Sequence, residues 1–268
     1  WRAAARPKGC RLAQYPRLRQ RVAEHLEHDW SPRQIAMWLT QTYPEDPTMQ
    51  VSAETIYQSL YVQARGVLRA ELTPHLRRGP AIRHSRASRQ RATPSGIVGA
   101  IAISARPAAS ADRAVPGHWE GDLIAGAQSS HIATLVERSS RYVLLVKVPS
   151  KDSTRVARAL ARKIRTLPTH LKASLTWDRG SEMAQHAAFT VATQVAVFFC
   201  DPRSPWQRGS NENTNGLLRQ YFPKGTALSH FSQRQLDAVA HRLNTRPRET
   251  LGWETPAIRF ASYVASTG

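Results

Sequence analysis

Apolar residues recur at helical spacing near the start of the chain, where they predict three short helices. In the first helix, Leu18, Val22 and Leu26 stand four residues apart and therefore share one face. The second and third helices are predicted over residues 31–43 and 51–61, and each follows a serine of the kind that caps helix N-termini. The pattern predicts a small all-α domain.

The two later helices start with clear local signals. Ser31 is a candidate N-cap with Pro32 at the first helical position, and Ser52 is the second candidate N-cap. A proline-containing turn joins these helices, so helix-turn-helix geometry is predicted, with a plain three-helix bundle as the alternative. In the former case the last helix would contact DNA, with Thr55 and Gln58 near its exposed start.

A β-rich pattern begins at Pro116. The segments "HWEGDLIAG" and "HIATLVERSSRYVLLVKVP" predict three antiparallel strands, of which the last two form a hairpin around "ERSSR". A helix, a strand, a helix, a strand and two helices follow, as far as Asn244. This order predicts an α/β fold: a ribonuclease-H-like, mixed five-stranded sheet with flanking helices, preceded by the helix-turn-helix domain.

The segment between these regions has little apolar periodicity and is predicted to be a linker. The predicted domains are therefore the helix-turn-helix domain over residues 1–65, a linker over 66–115, and the ribonuclease-H-like domain over 116–268. Six linker arginines have no acidic residue between them and are candidate phosphate contacts. They are Arg77, Arg78, Arg83, Arg86, Arg89 and Arg91.

The charge of the chain favours a polyanionic partner. The 268 residues include 38 Lys and Arg against 19 Asp and Glu, which gives a formal net charge of +19. The excess occurs in both halves of the chain rather than in one tail. Nucleic acid is the first candidate partner. A ribosomal or architectural protein, or a coding bias toward arginine, is the alternative explanation.

Several classes of protein are disfavoured. The two cysteines, Cys10 and Cys200, are too few for a disulfide framework or a Cys-based zinc site. No apolar run approaches the length of a membrane span, and no signal peptide is recognisable, so a cytoplasmic location is expected. Because the first residue is Trp rather than Met, further residues are expected upstream.

Three acidic residues stand where the predicted fold brings strand and helix ends together. Asp122 lies in a β run, Asp178 ends a later strand, and Glu212 starts a helix. Carboxylates gathered at one edge repel one another unless divalent cations lie between them, and oxygen ligands suit Mg²⁺ or Mn²⁺. Glu120 and Glu182 are alternative ligands, whereas His118 is expected to be a structural hydrogen-bonding residue.

Three segments, "GHWEGDLI", "TWDRGSEM" and "DPRSPWQRGSNENTNGLLRQYFPKGT", together resemble the Asp/Asp/Glu transposases of the insertion-sequence-thirty family. The interval 179–211 holds 33 residues, which is the spacing of the last two acids in that family. The tail "LNTRPRETLGWETPAIRF" and the predicted helix-turn-helix also resemble this family. Members usually carry a further upstream helix-turn-helix, which is not evident here.

The resemblance implies that Asp122, Asp178 and Glu212 are the catalytic residues and hold two Mg²⁺ ions, with Mn²⁺ able to substitute. It also implies a basic residue seven positions after the glutamate, here Arg219, as a DNA contact. Arg208 is a further candidate phosphate contact, and the neighbouring Trp206 is a candidate for stacking on a base.

The expected function is metal-dependent cleavage and strand transfer at the ends of an insertion sequence. The implied partners are double-stranded DNA, comprising terminal inverted repeats and a target, and at least one further copy of the chain. The expected location is the bacterial cytoplasm, in association with the nucleoid. The alternatives are a DNA-binding regulator with a silent catalytic fold and a ribonuclease-H-like nuclease without strand transfer.

Overall fold

The computed structural model describes residues 11–61, 72, 97–106, 114–202 and 204–266. The chain divides into two compact units. The first unit combines residues 1–87 with 246–254, and the second combines 88–245 with 255–268. This division differs from the expected domains, because the first unit includes a segment that the sequence pattern assigns to the domain 116–268.

The first unit is helical. Its helices are α1 (Arg11–Gln14), α2 (Pro16–Glu27), α3 (Pro32–Thr42) and α4 (Ala53–Tyr61). The three predicted helices are confirmed, and α1 is an additional single turn. Ser31 accepts a hydrogen bond from the backbone N–H of Gln34 in a capping box, and Ser52 Oγ accepts one from Thr55 N at 3.1 Å. Both predicted N-caps are therefore confirmed.

The segment 246–254 completes the first unit. Arg246 forms an ion pair with Asp29 at 3.5 Å, and Gln34 donates a hydrogen bond to the carbonyl of Pro247 at 2.8 Å. Arg33 pairs with Glu249 and also lies over the ring of Trp253. Two segments that are distant in sequence therefore build this unit, which no local pattern of apolar residues indicates.

The second unit contains a six-stranded sheet in the order β1-β6-β5-β2-β3-β4. The strands are β1 (Ile101–Ala102), β2 (His118–Ala125), β3 (His131–Glu137), β4 (Val143–Val148), β5 (Ser174–Trp177) and β6 (Ala196–Phe199). Strands β2, β3 and β4 are antiparallel neighbours, whereas β5 runs parallel to both β2 and β6. The predicted mixed α/β sheet is confirmed.

Strand β1 corrects the predicted strand count from five to six. It pairs in parallel with β6 at the edge of the sheet and lies inside the interval 66–115 that was predicted to be a linker. A two-residue strand has no alternating pattern to recognise, so its place depends on the neighbour that it meets. The six linker arginines lie outside the described residues.

Helices cover both faces of the sheet. They are α5 (Ser153–Arg165), α6 (His186–Thr193), α7 (Gly209–Leu218), α8 (Gln233–Asn244) and α9 (Pro256–Ala265). One core contains Trp119, Trp177 and buried residues of α5 and α6. The other contains Ile124, Ile132 and buried residues of α7 and α8. Because side chains alternate along each strand, these cores lie on opposite faces of the sheet.

Among the described residues, no helix combines the length and the apolar character that crossing a membrane requires.

Candidate active site

The packing of β2 against β5 sets the positions of both candidate aspartates. In β2, Gly121 lies next to Asp122, and a Cβ atom built on Gly121 would stand 2.2 Å from Cζ3 of Trp177. The indole ring therefore occupies the space that only a glycine leaves open. Since Trp177 is followed by Asp178, this contact brings the backbone before each aspartate together.

One guanidinium joins the two aspartates. Arg208 Nη1 lies 3.4 Å from Asp122 Oδ1, and Arg208 Nη2 lies 3.2 Å from Asp178 Oδ2. Nη1 also donates to the carbonyl oxygen of Gly121 at 3.0 Å, and only 8% of Arg208 is exposed. The carboxylates of Asp122, within β2, and Asp178, directly after the neighbouring β5, thus share a buried positive charge.

Further hydrogen bonds orient each carboxylate. Asp122 Oδ2 accepts from the side-chain amide of Asn215 at 2.9 Å, and its Oδ1 accepts from the N–H of Leu123 at 2.9 Å. Asp178 Oδ1 accepts from the N–H of Gly180 at 3.0 Å. The two side chains are therefore held in place by the sheet, by the following turn and by α7.

The electrostatic surroundings disfavour additional negative charge. Burial raises the pKa of Asp122, and the charge of Asp178 raises it further, while Arg208 lowers it. Burial likewise raises the pKa of Glu182, again with a contribution from Asp178. Burial raises the pKa of the Cys200 thiol to about 11. Acidic groups crowded in this way favour a cation among them.

Glu212 is exposed on α7, the helix whose Asn215 contacts Asp122. It stands four residues after Arg208 and three before Asn215, the two residues of this segment that contact Asp122. Residues at these spacings are neighbours on a helical face. Among the described residues, however, no three His, Cys, Asp or Glu side chains are close enough to hold one metal ion. The structure therefore brings Asp122 and Asp178 to one arginine, while Glu212 does not form a cluster with them.

Glu120 has a structural role, and its carboxylate is not accessible to solvent. Its side chain is fully buried, and it accepts hydrogen bonds from Arg138 Nε at 3.0 Å and from the backbone N–H of Asn211 at 3.0 Å. Asn211 Nδ2 also donates to the backbone carbonyl of Glu120, and its Oδ1 accepts from Thr134. These contacts fix the first turn of α7 to β2.

Glu182 and His118 also have specific partners. Glu182 accepts a hydrogen bond from the indole N–H of Trp177 at 3.1 Å, so it supports the residue before Asp178. His118 Nδ1 lies 2.7 Å from Ser174 Oγ, which confirms its expected structural role. The sequence pattern did not identify Arg208 as the partner of the aspartates, nor the anchoring contacts of Asn211 and Asn215.

The predicted DNA contacts occupy different settings. Arg219 is half-buried and donates to the backbone carbonyls of Ala125 and Phe222. Gln58 is exposed and donates to Glu54, whereas Thr55 is half-buried at the start of α4. Trp206 is 71% exposed. In this conformation Arg208 serves the aspartates, and its guanidinium faces them rather than open surface.

The mixed sheet, with Asp122 within β2 and Asp178 directly after the neighbouring β5, is the arrangement of integrase-type catalytic cores. A sequence model of the Integrase core domain family matches residues 112–205 of the chain. The matched interval includes Asp122 and Asp178 and ends before Glu212.

Full-length similarity identifies the family. The chain is 51% identical over 268 residues to the transposase InsI for insertion sequence element IS30A of Escherichia coli (strain K12), covering 99% of this chain and 70% of that relative. It is 47% identical over 248 residues to the transposase for IS1086 of Cupriavidus metallidurans, covering 91% of this chain and 72% of the relative. A transposase for IS4351 of Bacteroides fragilis is 32% identical, with coverage of 93% and 74% respectively. The chain belongs to the IS30 family of insertion-sequence transposases.

Proposed function

We propose that this chain is a DNA transposase that cuts the ends of an insertion sequence and joins them to a second DNA. The observation that carries the proposal is the pair formed by Asp122 and Asp178, held side by side on an integrase-type core by the guanidinium of Arg208. The names of the similar proteins support the same activity.

The chemistry consists of two displacements at phosphorus. In the first, a water oxygen bonds to the phosphorus at the end of the element and loses a proton, while the bond from that phosphorus to the 3′ oxygen breaks. The 3′ oxygen takes up a proton, which leaves a 3′-hydroxyl. In the second, that hydroxyl oxygen bonds to a phosphorus of the target strand, loses its proton, and displaces the 3′ oxygen of the target. Each step forms one P–O bond and breaks another, so no oxidant or covalent protein intermediate is required.

Two Mg²⁺ ions, or Mn²⁺ in their place, are the proposed cofactors. The donor set fits such ions, because Asp122 and Asp178 offer oxygen ligands only and already share one positive charge. Glu212 is the proposed third ligand, on the helix that contacts Asp122 through Asn215. When bound, divalent ions activate the attacking oxygen and stabilise the leaving oxygen.

Arg208 has a proposed role of its own in the site. Its guanidinium offsets part of the charge of the two aspartates and holds them together, because two like charges this close would otherwise repel each other. Divalent ions at this position would supply the same compensation, so Arg208 and the ions would compete for the two carboxylates.

Double-stranded DNA, comprising the terminal inverted repeats and the target, is the proposed substrate. The proposed contacts are Thr55 and Gln58 on α4, Arg219 after α7, and the arginines between residues 77 and 91. Joining two ends to one target requires at least two copies of the chain on DNA. The proposed site of action is the nucleoid, in the cytoplasm.

The test uses variants that keep the size of each side chain while removing its charge. Asp178→Asn and Asp122→Asn are each expected to lower end cleavage and strand joining by at least about a hundredfold, because a preorganised charge in the site is lost. Glu212→Gln is expected to behave in the same way. DNA affinity is expected to remain close to that of the unchanged chain. Glu45→Gln alters an exposed carboxylate and is the control.

The assay distinguishes the three functions. A labelled duplex carrying an element end is incubated with Mg²⁺ or Mn²⁺, and nicked and joined products are separated by electrophoresis. Cleavage without joining would favour a nuclease, and the absence of cleavage by the unchanged chain with either ion would favour a regulator. Cleavage by Asp178→Asn at the rate of the unchanged chain would rule out the proposed active site.

A further inference from the structure

Helix α5 presents a row of arginines to solvent. Its buried face is formed by Val156, Leu160 and Ile164, which pack in the core beneath the helix. The opposite side carries four exposed arginines at steps of three and four residues, so they lie along one stripe. We call this set the α5 stripe: Arg155, Arg158, Arg162 and Arg165.

The positive charge of the stripe is largely uncompensated. The sequence of α5 contains no acidic residue, and Asp152 before it is engaged in capping the N–H of Arg155. Lys163, which lies outside the stripe, pairs with Asp237 at 3.2 Å. Arg165 Nε donates to the carbonyl of Ala192. Within the part of the chain that the structure describes, Arg155, Arg158 and Arg162 have no ion-pair or hydrogen-bond partner for their guanidinium groups.

The neighbouring helix does not neutralise the stripe. A groove of about 240 Å³ separates α5 from α6, and its floor includes Ala161 and Phe189. Arg158, Arg162 and Arg165 form one rim, and no residue that lines the groove is acidic. A polyanion approaching this surface therefore meets guanidinium groups without a competing carboxylate.

The stripe lies away from the candidate active site. Helix α5 packs on the face of the sheet that carries Trp119 and Trp177. Helix α7, whose Asn215 contacts Asp122, packs on the face that carries Ile124. A DNA segment along α5 is therefore on the other side of the sheet from α7.

We propose that the α5 stripe is a DNA-contact surface for a segment other than the one being cut, binding phosphates without reading bases. The stripe extends from Arg155 to Arg165, which is about 15 Å along the helix axis and matches the rise of roughly four to five base pairs. This assignment rests on the proposed function, since strand transfer requires the protein to hold a second DNA segment. A second copy of the chain is a poor occupant, because its net charge is also +19.

The experiment measures binding of a duplex that lacks any element end, in EDTA, so that the readout does not depend on cleavage. The variant is Arg158→Glu with Arg162→Glu, and circular dichroism checks that it is folded. We expect at least about a tenfold rise in Kd near 0.1 M salt. The slope of log K against log salt should fall by about 2, because each lost phosphate contact contributes roughly 0.9.

The matched control is Arg234→Glu on α8, compared with Arg158→Glu alone. Both arginines are exposed and both changes alter the net charge equally, but Arg234 is not part of the stripe. The proposal requires Arg158→Glu to weaken binding more than Arg234→Glu does. Equal effects would show a response to total charge and would overturn it.

Three further outcomes are informative. Because the groove has an apolar floor, an acidic amphipathic peptide with leucines on one face is tested alongside the duplex. Loss of peptide binding in the double variant with unchanged DNA binding would overturn the proposal and assign the groove to a protein partner. End cleavage retained by the double variant, with strand joining to a separate target reduced, would support the proposal. A failure of cleavage in the unchanged chain would instead count against the proposed function.

Discussion

At the scale of single residues, Arg208 has the most informative position in the molecule. It belongs to the turn before α7, yet its guanidinium reaches one carboxylate within β2 and another directly after β5. The sequence indicated Arg208 only as a candidate phosphate contact, because no local pattern records which charges meet after folding. The carboxylates themselves were easier to recognise, since Asp178 directly follows an apolar strand.

Replacing Arg208 tests whether its guanidinium occupies the place of a divalent metal ion between the two carboxylates. In Arg208→Ala we expect Mn²⁺ to bind about tenfold more tightly, because no internal cation has to leave before the ion binds. The metal-free variant should also melt at a lower temperature than the unchanged chain, and Mn²⁺ should restore part of that loss. Calorimetric titration and thermal melts with and without Mn²⁺ measure both effects.

Two companion variants complete this comparison. Arg208→Lys keeps the charge but lacks the planar fork that joins two carboxylates. We therefore expect its affinity for Mn²⁺ to lie between those of the unchanged chain and Arg208→Ala. Arg234→Ala removes an equal charge elsewhere and should leave Mn²⁺ binding unchanged. Weaker binding of Mn²⁺ by Arg208→Ala would mean that the guanidinium assists the ion rather than replacing it.

At the scale of elements, the contact between β2 and β5 is the structural basis of the site. Gly121→Ala is expected to destabilise the second unit by about 1–3 kcal/mol, since the new methyl group would overlap the ring of Trp177. The displaced ring should move Asp178, so end cleavage is expected to fall as well. Thermal melting and the cleavage assay provide the two measurements.

The matched substitution for this test is Gly216→Ala. Gly216 lies in α7, where an added Cβ atom would meet nothing within 4 Å, and alanine is the better helix former. This variant should melt at the same temperature as the unchanged chain or slightly above it. If Gly121→Ala melted as high as Gly216→Ala, the close approach of Trp177 would not be the constraint that we infer.

The elements differ in how well the sequence predicts them. Helix α5 and strands β2 to β4 carry periodic apolar positions over many residues, so their types were predictable. Strand β1 and helix α9 were not predicted from periodicity. The first has two residues and depends on β6, and the second entered only through the resemblance of the tail. The contact by which Glu120 anchors α7 was also not predictable, because the sequence does not distinguish a buried carboxylate from an exposed one.

At the scale of the whole molecule, the first unit is made of two chain segments, and this organisation has a measurable consequence. Arg246 and Asp29 form an ion pair whose side chains are 3% and 10% exposed, so the pair is shielded from water. Removing one member leaves the other charge buried, which typically costs about 3–5 kcal/mol. Asp29→Asn should therefore loosen α2 and α3 even though it lies outside both helices.

Hydrogen exchange with peptide-level resolution tests this prediction. In Asp29→Asn we expect faster exchange in peptides from α2, α3 and the segment 246–254, because all of them depend on the same unit. Peptides from β2 and β5 serve as the internal reference and should exchange at their usual rates. Acceleration confined to the immediate neighbours of Asp29 would mean that residues 246–254 add little to the unit. Acceleration in both segments would mean that a sequence remote from the helices helps to stabilise them, and that a fragment ending before residue 246 is an incomplete domain.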